Sequence, residues 1–129
     1  TGKDSLIAAV VDWEISTLGD PLADLGYALN QWPERRDDLP TDGSGGTTMA
    51  PGFPPRDELA QRYAERTGRD LSNLDYYLGF NRWKSAAIIH GVYARYKEGK
   101  KSTEGVDLDE MRNRIVDTLT LAEQAVNRL

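Results

Sequence analysis

One stretch of this chain, Leu6 to Val11, reads as a β-strand, and a single strand cannot make a sheet. It is short, apolar and β-branched toward its end, which suits burial. Its N–H and C=O groups would then be buried without partners. Thr1 to Ser5 is too short to turn back and pair, so the partner strand is expected to lie outside these residues. The remaining patterns are helical, and the chain is read as one partial domain over residues 1–129, one strand or hairpin feeding four helices.

The first helix has a start signal with a mechanism. Asp20 can accept from the free N–H groups of a first turn, and Pro21 needs no donor there. Leu22, Leu25, Leu29 and Trp32 follow at helical spacing until Pro33. Residues 40–55, which contain "DGSGG", are rich in Gly, Pro, Ser and Thr and read as a mobile loop. A second helix opens with Asp57 and Glu58, presents Leu59 and Tyr63 inward and closes at Gly68.

"SNLD", from Ser72 to Asp75, has the form of a capping box for a long helix running to about Glu98. Apolar and aromatic residues cover more than one of its faces, which predicts the central helix, with Trp83 and the tyrosines in the core. Asp107 and Glu110 suggest a cap for the last helix, whose buried stripe is expected at Leu108, Met111, Ile115, Leu119, Ala122 and Val126.

Charge and composition exclude some functions. Sixteen Lys and Arg against twenty-one Asp and Glu leave a net charge of -5, which disfavours nucleic acid as a partner. Without cysteine there is neither a disulfide nor a thiolate ligand or nucleophile. No apolar run approaches the roughly 20 residues a bilayer requires. The expectation is a cytoplasmic protein with no membrane partner.

The acids at Asp12, Glu14, Asp20 and Asp24 are the chemical feature of the sequence. A carboxylate at a strand end has a fixed backbone and a projecting side chain, and Mg²⁺ needs few protein carboxylates because water and phosphate complete its shell. Asp12 can therefore hold a nucleotide-bound Mg²⁺; equally, Asp12 and Glu14 can be solvated residues after a strand. Capping alone accounts for Asp20, and Asp24 can reach a neighbouring loop or face water.

"VVDWEISTLGDPLADLGYAL" resembles the segment after the catalytic loop in the aminoglycoside phosphotransferase-like family, in the branch joined to acyl-CoA dehydrogenases. The likeness continues through "DELAQRYAERTGRDL" and "YYLGFNRWKSAAIIHGVYARYKEG". It implies a mainly α fold, the helical C-terminal part of the larger lobe of a kinase-like phosphotransferase. It also implies Mg²⁺ with ATP or GTP as cofactor and a small-molecule hydroxyl as acceptor. On that resemblance Asp12 is the metal carboxylate, Glu14 a second metal ligand direct or through water, Asp20 the organiser of the turn and Asp24 a brace for the catalytic loop. The weaker substrate-binding candidates are Asn81 and Arg82.

Phosphoryl transfer in that fold also needs a nucleotide-covering lobe and a catalytic loop with an Asp base and an Asn metal ligand. Neither is recognisable before Asp12, so no complete catalytic set is expected in these residues, and alone they are expected to be inactive. The missing N-terminal lobe and catalytic loop then count as partners, and the uncovered strand predicts self-association into a homo-oligomer. His90 lies inside a helical pattern, in "HGVY", and is read as an ordinary helix residue. The competing reading is a non-catalytic helical binding or assembly module, carrying an acyl-CoA dehydrogenase label through domain fusion.

Overall fold

Asp20 begins the first helix as its chemistry requires. In a computed structural model, which describes residues 9–14, 16–32, 48 and 50–129, its Oδ1 accepts from the Leu22 N–H at 2.9 Å while Pro21 occupies the first turn. Helix α1 spans Pro21–Asn30, α2 Arg56–Thr67, α3 Leu74–Lys97 and α4 Leu108–Val126.

The expected strand is not seen among the described residues. Ala9 to Val11 have no regular structure, and Val10 and Val11 are 64% and 77% exposed. Leu6 to Ala8 lie outside the described residues. The physical reason is the one that made a lone strand implausible: without a ladder, backbone groups do better in water than in a core. Most of residues 40–55, and Pro33, also lie outside the described residues.

The core starts on α1. Leu22, Leu25 and Leu29 are buried with Ala60 of α2, and Leu59, Tyr63, Leu71, Leu74, Tyr77 and Leu78 pack around them. Gly68 ends α2 at a φ of 69°, its N–H bonding Ala64 O at 2.7 Å. Helix α3 is central as its composition predicts, packing on α1 along one face and on α4 along another.

The capping box is not formed. Asn73 is the N-cap of α3 and its side chain makes no cap bond. Ser72 instead donates from Oγ to Asp70 Oδ2 at 2.7 Å and from its N–H to Asp70 Oδ1 at 2.9 Å. An Asp two residues earlier closes a tight local turn and captures the hydroxyl first. Those two bonds hold the Asp70 carboxyl below its ordinary range. At α4 the cap is as expected, Asp107 Oδ1 accepting from the Asp109 and Glu110 N–H groups at 2.9 Å.

Two apolar expectations need correction. Trp83 and Tyr76 are 57% and 51% exposed, and with Phe80 they form an exposed aromatic ladder along α3. Leu119 and Val126 of the α4 stripe are also about half exposed, at 42% and 52%, while Ala125 is fully buried. Small residues decide this contact: Gly79 lies against the Val126 side chain, Ala122 and Ala125, and that close approach brings Ala125 into the interface beside the expected Ala122.

Gly26 allows the α1–α3 crossing. A Cβ placed there would lie 3.0 Å from the Tyr77 backbone carbon and 3.1 Å from Asn81 Nδ2. Gly26→Ala is expected to destabilise the fold by about 1–3 kcal/mol, since backbone cannot yield as a flexible side chain can. Urea unfolding with an unchanged slope checks it.

Candidate acidic site

The stretch carrying the acids is held mainly by local bonds. Trp13 Nε1 donates to Val10 O at 2.8 Å, and Ser16 donates to Trp13 O from both N–H, at 3.0 Å, and Oγ, at 2.7 Å. Asp12 takes a φ of 71°, in the left-handed region that Asp and Asn tolerate best after glycine. Its side chain and that of Glu14 are exposed. Among the described residues no three His, Asp or Glu side chains converge as a metal cage. A pair of exposed carboxylates suits Mg²⁺ that keeps its waters and phosphate oxygens, and supplies too few ligands for a Ca²⁺ cage.

Asp20 does more than cap. Its Oδ2 accepts from the Tyr77 hydroxyl at 2.6 Å, a bond spanning 57 residues. That bond, then the Leu22 N–H and the positive Arg69, lower the Asp20 pKa below its ordinary 3.8. The same carboxylate raises the Tyr77 pKa above its ordinary 10.0. Asp24 is exposed in the first turn of α1, where a negative charge favours the helix.

Linkage gives this bond a pH window. Because the folded Asp20 pKa is depressed, its stabilisation is present above about pH 4 and is lost as pH falls through the lowered value. Because the folded Tyr77 pKa is raised, its stabilisation is complete below about pH 10 and is lost as pH climbs through the raised value. The stability difference between wild type and Tyr77→Phe is therefore expected to be greatest near neutrality and to shrink toward both extremes. Thermal melts across pH check it; a constant difference would refute it.

Asn81 and Arg82 are placed among the helices. Asn81 is 1% exposed and donates from Nδ2 to Ala23 O at 2.8 Å and Tyr77 O at 2.9 Å. Arg82 donates from Nε to Asn30 Oδ1 at 2.8 Å and from Nη1 to Leu121 O at 3.2 Å. Asn30 in turn donates to Leu78 O at 3.0 Å. These bonds join α1, α3 and α4, and burial leaves the Asn81 side chain no face for a substrate.

His90 is exposed beside Tyr93, with ring centroids 6.4 Å apart. Lys84 Nζ sits 5.6 Å from the Tyr27 ring. Trp32 Nε1 donates to Pro54 O at 2.9 Å, and its ring meets Phe53 edge-on at 5.6 Å, joining the residues just after α1 to those just before α2. Tyr77 and Asn30 are the residues that sequence reading missed, because no local pattern pairs a tyrosine with an acid 57 positions away.

Comparison with known proteins agrees with the motif. The phosphotransferase enzyme family matches residues 2–77. Over 106 residues the chain is 35% identical to human "Acyl-CoA dehydrogenase family member 11", covering 79% of this chain and 13% of that protein. The chicken protein of the same name is 39% identical over 111 residues, covering 78% and 14%. Mouse "Acyl-CoA dehydrogenase family member 10" is 33% identical over 104 residues, covering 75% and 9%. The chain thus spans about an eighth of the first of these relatives. No solved structure matches it significantly. Among the described residues no helix is long and apolar enough to cross a membrane.

Proposed function

We propose, from the premise that this chain belongs to the phosphotransferase enzyme family, in the branch joined to acyl-CoA dehydrogenases, that it supplies the metal-binding acid of a small-molecule kinase. The observation that carries the reading is a coincidence of place. The family match over residues 2–77 includes both the acidic stretch and the α1–α3 junction that anchors it. We take the phosphotransferase reading over the dehydrogenase name because the match falls on this chain itself, whereas that name describes proteins of which the chain covers 13% and 14%.

In this reading Asp12 binds Mg²⁺ and Glu14 binds it directly or through water. Magnesium bound with ATP or GTP supplies charge neutralisation at the phosphates. Asp20 fixes the turn, and Asp24 braces the neighbouring catalytic loop of the complete protein. The helices form part of the larger lobe of a kinase-like fold, and the γ-phosphoryl group passes to a hydroxyl of a small acceptor. Asn81 and Arg82 contribute by holding the helices, with the acceptor lying elsewhere on the lobe.

An assembly module is the second reading, favoured by the exposed Tyr76, Phe80 and Trp83 ladder. Labelled transfer decides between them. The intact polypeptide, meaning the complete protein with its nucleotide-covering lobe and catalytic loop, given γ-labelled ATP or GTP, Mg²⁺ and a panel of hydroxyl compounds, is expected to label an acceptor in a Mg²⁺-dependent way. A folded protein that neither binds Mg-nucleotide nor labels any acceptor would leave the assembly reading.

A further inference from the structure

The described residues between Asp12 and Asp20 form no helix or strand, and the bonds that Trp13 and Ser16 make among them and to Val10 reach only three residues. Among the described residues, one hydrogen bond runs from it to a distant element: that from the Tyr77 hydroxyl to Asp20. The two oxygens of Asp20 are thereby divided, Oδ1 starting α1 and Oδ2 held by α3.

Tyr77 is a firm anchor. Gly26 of α1 closes on its backbone. One turn on, Asn81 bonds both Tyr77 O and Ala23 O, and Tyr76 meets the Tyr77 ring edge-on at 5.2 Å. A phenol suits the task, because a rigid ring with few torsions delivers a charge-assisted bond to a carboxylate at little entropic cost.

We propose that Tyr77 is a positioning residue for the acidic site, its hydroxyl setting, through Asp20, where the Asp12–Glu14 stretch leaves the helical body. The proposal rests on the phosphotransferase reading of that stretch. Without the hydroxyl Asp20 still caps α1, so the helix remains while the approach of the preceding residues loosens. A misplacement of about 1 Å costs up to roughly a hundredfold in rate. Since the stretch stays covalently joined to α1, a loss of about tenfold is expected.

The test is a double-mutant cycle in the intact polypeptide with Tyr77→Phe, Asp20→Ser and both together. Phe keeps the ring. Ser keeps a capping hydroxyl yet is too short to reach Tyr77. Each single change should raise the Mg²⁺ concentration for half-maximal rate and lower kcat/KM for nucleotide about tenfold, and the double should be no worse than either.

Additive losses, losses that follow melting temperature alone, or unchanged kinetics in Tyr77→Phe would overturn the proposal while an active wild type keeps the phosphotransferase reading. If the wild type binds Mg-nucleotide without turnover, calorimetric affinity replaces rate in the same cycle: a non-additive loss supports the proposal, and an additive or absent loss overturns it. A wild type that does neither overturns both.

Discussion

Asp12→Asn in the intact polypeptide is expected to reduce phosphoryl transfer by roughly a hundredfold or more while the fold persists. The substitution keeps size and removes the charge that a hard divalent cation seeks. Asn also tolerates the left-handed backbone that Asp12 adopts at a φ of 71°, so lost activity cannot be blamed on strain at this position. Asp12 is exposed and belongs to no core cluster, so melting temperature should hardly move. Turnover and circular dichroism measured on one preparation make the check. Near-normal turnover by the folded variant would remove Asp12 from the metal site.

The second large effect concerns stability. Leu29 is 2% exposed at the α1–α2 core, and Leu29→Ala is expected to cost about 3 kcal/mol, from lost transfer energy plus the cavity left behind. Leu18 provides the contrast, since it is fully exposed and its change to Ala should stay within about 0.5 kcal/mol. Chemical denaturation of both variants decides the matter. Equal costs would mean that α1 does not anchor the core.

The contrast between these leucines shows how local signals are read. Leu29 belongs to a helical period with Leu22 and Leu25, and the sequence marks it as inward. Val10 and Val11 carry an equally apolar signal, yet they are exposed because no described strand supplies a ladder. Apolar side chains favour burial, and backbone partners decide whether burial is allowed.

The acidic site was legible to a similar depth. Asp12, Glu14, Asp20 and Asp24 stand out within a short span, and Asp20-Pro21 announces its cap. Neither the anchor from Tyr77 nor the burial of Asn81 could be read, because each depends on the α1–α3 crossing that Gly26 permits. The aromatic ladder misled for a related reason. An all-round apolar helix reads as enclosed, yet α1 and α4 cover only part of α3.

By itself the sequence determined the caps at Asp20 and Asp107, the left-handed end at Gly68, the four helical segments and the family, because each is written in residues a few positions apart or in an ordered motif. The sequence left open whether Ser72 would turn to Asp70, and tertiary packing alone decided that Ala125 is buried in α4 and that Tyr77 holds Asp20. The Ser72 turn is a competition between neighbouring partners, and the other two depend on how closely two helices approach. Local propensity fixes which residues can begin, continue or end a helix; the distance between helices fixes which of their side chains meet.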